Sequence, residues 1–127
     1  MKKVVFCKGK VGRTEFCKAW ILEAHDRIRI AVDEINMMLN PEFPRDSFSI
    51  SMAAAVNMLI NALIKGMDVI IDYDCTSPKA RSRMESQCRR AGATILYKEF
   101  SQSECTQRDG CSSDRANGDP EIQQSSP

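Results

Sequence analysis

The sequence has few of the residues and segments that mark specialised classes of protein. It contains one His, and no two of its six Cys residues have the two-residue gap of a zinc knuckle, which argues against a zinc site. No apolar run approaches the roughly 18 to 20 residues of a membrane span, or the about 7 to 15 residues of a secretory segment near Met1. We therefore expect a cytoplasmic protein with no membrane partner and with reduced thiols.

Neither sign of charge dominates the chain. The 18 Lys and Arg residues are balanced by 17 Asp and Glu, so the net charge is +1. A chain that coats nucleic acid needs a large cationic excess, so any contact with nucleic acid must be local here. The 127 residues, 43% of them hydrophobic, fit one compact domain with one core.

Apolar runs alternate with amphipathic segments along the first hundred residues. We predict strands over residues 2–7, 28–32, 67–73 and 93–100, and helices over residues 13–25, 34–39, 51–65 and 79–90. Because crossovers between parallel strands are right-handed, this order predicts a three-layer α/β domain with about four parallel strands and helices on both faces. We assign the core to residues 1–100, and the polar composition of residues 101–127 predicts a short lid or a disordered tail.

Side-chain spacing predicts which residues face the core. In the third helix the inward set is Ala53, Val56, Leu59, Ile60 and Leu63. We also expect buried positions for Cys17, Cys88, Met37, Met38 and Met58. Ser77 before Pro78 predicts the N-cap of the fourth helix.

Three polar segments follow predicted strands directly. They are Gly9–Thr14, Asp33, and Asp72–Thr76. The carboxyl ends of parallel strands meet at one edge of a sheet, where α/β proteins place their ligands. The sequence therefore predicts a site at this edge, although Asp33 also suits a helix N-cap and Asp72 a solvated strand end.

A glycine loop between a strand and a helix can bind phosphate, because backbone N–H groups converge there at a positive helix end. On this basis the predicted nucleotide-binding residues are Gly9, Lys10, Gly12, Arg13 and Thr14. The Thr14 hydroxyl and the Asp72 carboxylate are the predicted Mg²⁺ ligands. The alternative for this loop is a simple turn from strand to helix.

The chain resembles the phosphate-loop (P-loop) kinases of the bacteriophage polynucleotide 5′-hydroxyl kinase type over residues 1–122. The run from Met1 to Thr14 resembles their first strand and their loop Gly-x-Pro-Gly-Ser-Gly-Lys-Ser/Thr. In one register the loop is shortened by two residues and Arg13 replaces the lysine, whereas an ungapped register places Cys7 at the first glycine. The most specific match is the run from Gly66 to Arg83, which is similar to their signature of glycine, strand, Asp, Ser-Pro and a basic helix. From this alignment we expect residues 1–127 to lack most of the family's terminal helix.

The resemblance implies phosphoryl transfer from ATP, with Mg²⁺, to a 5′-hydroxyl nucleic-acid end or a small hydroxyl compound. It assigns Asp33 as the general base, Arg13 as the loop cation and Arg108 as the lid arginine. Because the shortened loop loses backbone donors, and electrostatic positioning supplies nearly all of this catalysis, we expect weak or lost transfer. The alternative is a catalytically inactive kinase-fold module that binds a partner.

Overall fold

Strands and helices alternate in the order that the sequence predicts. The computed structural model describes residues 2–42 and 47–101 and the backbone of residues 122–124. The strands are β1 (Lys3–Lys8), β2 (Arg27–Ala31), β3 (Asp68–Asp72), β4 (Thr94–Glu99) and β5 (Ile122–Gln124). The helices are α1 (Arg13–Ile21), α2 (Val32–Asn36), α3 (Ser47–Ile64) and α4 (Pro78–Arg90).

The sheet has the strand order β2-β3-β1-β4-β5. The first four strands in this order are parallel, with Val5 paired to Ile70 on one side and to Leu96 on the other. The predicted parallel α/β sheet is therefore confirmed. Strand β5 lies antiparallel beside β4 and was not predicted, because its segment is polar and short. The other residues of the predicted lid or tail lie outside the described part, apart from Ser101.

Alternate side chains of the central strands pack against different helices, because successive residues of a strand point to opposite faces. Val5, Cys7 and Ile70 pack with Cys17 and Trp20 of α1 on one face. On the other face, apolar residues of β1 and β3 pack against α3 and α4, including the fully buried Cys88. The predicted three-layer arrangement is confirmed, as is the burial of both helix cysteines.

Several helix ends differ from the prediction. Helix α1 ends at Ile21 rather than near residue 25. Helix α2 begins at Val32, and its N-cap position is Ala31, so Asp33 lies in the first turn and the N-cap interpretation of Asp33 is wrong. The Ser77 cap is confirmed, because its side chain accepts a hydrogen bond from the Lys79 N–H.

Helix α3 begins four residues before the predicted start and carries no charged residue. Its length and a mean hydropathy of 1.6 would suffice for a membrane span, and 39% of that window is buried within the domain. Val56, Leu59 and Leu63 face the sheet as predicted, whereas Ala53 and Ile60 are half-buried. The predicted burial of three methionines is wrong, since the structure leaves them exposed: Met37, Met38 and Met58.

Candidate functional site

A buried carboxylate lies between two guanidinium groups at the carboxyl edge of the sheet. Asp72, the last residue of β3, is 2% exposed. Its Oδ1 accepts a hydrogen bond from Arg13 Nε at 2.7 Å, and its Oδ2 accepts one from Arg29 Nε at 2.7 Å. Charge-assisted bonds of this length are the strong class of protein hydrogen bond, and they hold the start of α1 and the middle of β2 to the end of β3.

The two arginines are held in their charged form by these partners. Burial opposes the charge of Arg13 most strongly, yet the hydrogen bond and the charge of Asp72 outweigh it and raise the pKa of Arg13. The pKa of Arg29 is raised mainly by its hydrogen bond to Glu34, with a further rise from Asp72. The same contact with Arg29 lowers the pKa of Glu34. The site is therefore a network of fixed charges that alternate in sign.

The glycine loop uses its backbone donors within the protein. The Gly9 N–H donates to Asp74 Oδ1 at 2.9 Å. The Lys10 and Val11 N–H groups both donate to the Ser101 carbonyl, at 2.8 and 2.9 Å. Three amides of the predicted phosphate-binding loop are thus directed at acceptors of the chain itself.

Gly9 is required where the loop crosses the end of β4. Its φ is +109°, and a Cβ built on it would lie 2.1 Å from the Phe100 carbonyl oxygen. Only a residue without a side chain fits that approach, because real Cβ contacts never fall below 3.0 Å. Gly12 also has a positive φ, +79°, but the space around it is open. The loop backbone at Gly9 is therefore in close contact with Phe100, the residue that follows β4.

The Arg13 side chain lies across this loop. Its Nη1 donates to the Gly9 carbonyl at 2.8 Å, in addition to the bond from Nε to Asp72. Its Nη2 lies 3.7 Å from Asp33 Oδ2, and the Asp33 side chain is 69% exposed. Since Arg13 has three protein partners, its guanidinium is already committed to the loop and the sheet edge.

Asp74 fixes the other side of the loop. Besides the Gly9 N–H, its Oδ1 accepts hydrogen bonds from the Thr76 N–H at 3.1 Å and the Thr76 hydroxyl at 2.6 Å. Burial alone would raise the pKa of Asp74, but these hydrogen bonds outweigh it and lower the pKa. Asp74 is therefore a structural acceptor that closes the loop on the end of β3.

The structure brings together most of the site residues predicted from sequence. Arg13, Asp33 and Asp72 form one cluster, and the Thr14 hydroxyl lies 3.4 Å from Asp72 Oδ1. Lys10 is exposed on the loop. The predicted lid arginine, Arg108, lies outside the described residues.

The residues at this edge do not fit Mg²⁺ in the described arrangement. The two proposed ligands, Thr14 and Asp72, do lie together, but both Asp72 oxygens already accept from guanidinium nitrogens. Two unit charges 4 Å apart interact by about 4 kcal/mol at an effective dielectric of 20, so a dication beside two arginines is repelled strongly. Nucleotide phosphates meet a related obstacle, because the Gly9, Lys10 and Val11 amides have protein acceptors.

Sequence reasoning missed the partners that close the site. Arg29 lies within the predicted strand 28–32, and a cation between two isoleucines in a buried sheet is itself a signal of a charged partner. Asp74 lies in the predicted polar segment Asp72–Thr76, and no sequence pattern indicates its bond with the Gly9 N–H. The Ser101 carbonyl could not be found from sequence, because any residue offers a backbone acceptor.

The parallel sheet, the glycine loop between β1 and α1, and the helices on both faces form a three-layer α/β domain, and its fold matches that of P-loop kinase-like structures. A chain from the Pnkp1/Rnl/Hen1 complex has a TM-score of 0.67 and 17% identity over 98% of this chain. A predicted kinase from Chloroflexus aurantiacus has a TM-score of 0.64 and 13% identity over 77% of it. The tunicamycin resistance protein of Deinococcus radiodurans has a TM-score of 0.53 and 14% identity over 75% of it.

This chain spans only about half the length of those proteins, covering 46%, 57% and 60% of them in the same order. No family model matches the chain, and no curated protein does. At such low identities the structural likeness establishes the fold and not the activity.

Proposed function

We propose that this chain is a P-loop kinase-fold protein whose phosphoryl transfer from ATP is weak or lost. The observation that carries the proposal is the internal closure of the loop, in which Arg13 bonds to the Gly9 carbonyl and to Asp72. The bonds from the Lys10 and Val11 amides to Ser101 support it further. A nucleotide would have to break these contacts before its phosphates reached the loop.

Phosphoryl transfer depends almost entirely on positioned donors and cations that stabilise charge on the transferring group. Here four amides of the loop already donate to acceptors of the chain itself, those of Gly9, Lys10, Val11 and Arg13. Each such bond contributes about 1 kcal/mol net, and charge-assisted ones about 1.5 to 3 kcal/mol, so opening the loop has a substantial cost.

In this proposal the predicted site residues have structural roles. Arg13 and Asp72 form an ion pair that holds the loop, and Thr14 is a minor partner of that pair. Asp33 stays exposed at the rim. The protein would act in the cytoplasm as a module that binds a partner through its kinase fold.

A second candidate function is an active kinase for a 5′-hydroxyl nucleic-acid end. The observation that favours it is the grouping of Asp33, Thr14 and Asp72 on one rim, which matches the general base and metal ligands implied by the resemblance. In that case ATP binding must rearrange Arg13 away from Asp72. The two candidates differ in whether nucleotide binds at all.

Nucleotide titration by calorimetry, with and without Mg²⁺, followed by a phosphate-transfer assay on a 5′-hydroxyl oligonucleotide, separates the candidates. The matched control is Asp33→Asn, which removes the proposed base at an exposed position. We expect no saturable ATP binding at millimolar nucleotide and equal, background transfer for both proteins. Tight binding of Mg²⁺-ATP, with transfer that is lost in Asp33→Asn, would establish the active kinase and overturn our proposal.

A further inference from the structure

Two cysteine side chains meet in the core between β1 and α1. Cys7 lies near the end of β1, Cys17 lies in α1, and both are fully buried. Their sulfur atoms are 3.7 Å apart and share a hydrogen bond in which either thiol can donate. Both cysteines are free thiols. The two sulfurs are therefore already in contact in the reduced chain.

This cysteine pair brackets the glycine loop in the sequence. The two residues are ten positions apart, and Gly9–Thr14 lies between them. A covalent bond between the sulfurs would therefore tie the strand that enters the loop to the helix that leaves it. The Cys7 carbonyl also accepts a hydrogen bond from the Cys75 N–H at 2.8 Å. One side of the resulting ring would thus be anchored to the chain that follows β3.

The separation of the two sulfurs is close to what a disulfide needs. An S–S bond is about 2.05 Å long, so the atoms must approach each other by about 1.7 Å in total. Because each sulfur turns about a single Cα–Cβ bond, rotation of both side chains can supply much of this approach. The residues around the pair are apolar, among them Val5, Trp20 and Ile70, and none of them competes for a thiol.

Burial controls when the pair can react. The hydrogen bond to Cys17 and the burial of the group raise the pKa of Cys7, so the reactive thiolate is scarce while the core is closed. Helix α1 has nine residues and no side-chain hydrogen bond at its N-cap. Short elements of this kind open locally more often than the whole domain unfolds. A small oxidant can then reach the sulfurs, and the reclosing of α1 brings them together.

We propose that Cys7 and Cys17 are a modification site for peroxide, at which they form a disulfide that fixes both ends of the loop. One thiolate attacks the O–O bond of hydrogen peroxide, takes one oxygen as a sulfenic acid and releases hydroxide, which takes up the proton of that thiol. The second thiol then forms the S–S bond at the sulfenic sulfur, whose hydroxyl leaves with the second proton as water. Peroxide is thus reduced to two waters while two thiols become one disulfide. The inference is independent of the proposed function, because this chemistry involves neither nucleotide nor phosphate.

Peptide mapping of the full chain tests the modification site. The reduced chain is treated with hydrogen peroxide, its remaining thiols are alkylated in urea, and it is digested with trypsin without reduction. Trypsin cleaves after the lysines and arginines around the two cysteines and so releases them on separate peptides, residues 4–8 and 14–18. We expect these peptides to be joined and two hydrogens lighter than their sum. The joined form should be at least about tenfold more abundant than any other oxidised form of Cys7, because its partner is already in contact.

The same peroxide treatment of the chain in urea sets the reference dose, which must oxidise both thiols there. At that dose, a folded chain in which Cys7 stays mainly unmodified, becomes a sulfinic acid or joins a cysteine other than Cys17 overturns the proposal. Any of these results would mean that the contact between the two sulfurs is core packing alone.

Hydrogen exchange and urea unfolding test the effect of the disulfide on the loop. In the linked chain the Gly9, Lys10 and Val11 amides should exchange at least about tenfold more slowly, and the urea midpoint should rise by about 1 M, because the closed ring restricts opening and the unfolded chain. Dithiothreitol should reverse both changes. Peroxide should cause neither change in Cys17→Ala, whereas Cys88→Ala, which removes another fully buried thiol, should show both. A linked chain whose loop exchanges at the unlinked rate, or changes that persist in Cys17→Ala, would overturn the fixation of the loop.

Discussion

Replacing Asp72 by Asn tests whether the buried carboxylate organises the candidate site. The substitution keeps the shape of the side chain but removes the negative charge between Arg13 and Arg29, whose side chains are only 11% and 12% exposed. Breaking a fully buried ion pair costs about 3 to 5 kcal/mol. Both arginines keep a second carboxylate, Asp33 and Glu34 respectively, so we expect a loss of about 2 to 4 kcal/mol here.

Urea unfolding followed by circular dichroism measures this loss. With an m value of about 1.5 to 2 kcal/mol/M, the midpoint should fall by about 1 to 2.7 M. The control is Asp33→Asn, which removes a carboxylate from the same arginine at a position that is 69% exposed. An exposed pair contributes about 0.5 kcal/mol, so its midpoint should fall only slightly. Equal losses in the two variants would refute the idea that Asp72 is the structural centre of the site.

Three further predictions concern the loop and the buried thiols. Gly9→Ala should lower the free energy of unfolding in urea by more than about 3 kcal/mol, because the new Cβ would clash with the Phe100 backbone. The matched control is Gly12→Ala, which has a positive φ but open space around the new Cβ, and it should lower that free energy by only about 1 to 2 kcal/mol. The lowered pKa of Asp74 implies a stabilisation that is present above its ordinary value of 3.8 and is lost as the pH falls below it. The difference in unfolding free energy between wild type and Asp74→Asn should therefore shrink below that pH, and a constant difference would contradict this. Burial raises the pKa of Cys75 and Cys88 to about 12, so site-resolved alkylation at pH 8 should be over about 100-fold slower in the folded chain than in urea. Similar rates in the two states would show that these thiols are accessible.

The alternation of strands and helices could be predicted because it rests on local patterns. Val69, Ile70 and Ile71 form a β-branched apolar run that favours a buried strand, and Ser77 before Pro78 is a direct helix-start signal. Helix ends were less predictable. Asp33 has the chemistry of an N-cap, but β2 passes straight into α2 at Val32 and leaves it in the first turn.

The residues of the candidate site were predicted better than their partners. Arg13, Thr14, Asp33 and Asp72 do meet at one edge, because the carboxyl ends of parallel strands share it. The closure of the loop depends on contacts far apart in sequence, such as that between Gly9 and Asp74. No local pattern reports such contacts, so the sequence alone could not tell an open phosphate loop from a closed one.

The most direct test of the closed loop is the response of its own amides to nucleotide. A ¹H–¹⁵N correlation titration with Mg²⁺-ATP follows the Gly9, Lys10 and Val11 signals individually. We predict that these signals do not shift up to about 5 mM nucleotide, because the hydrogen bonds of these amides to Asp74 and Ser101 persist. A dissociation constant above that concentration corresponds to a binding free energy of less than about 3 kcal/mol. Saturating shifts of all three amides at micromolar nucleotide would contradict the closed loop and show that the phosphates bind there.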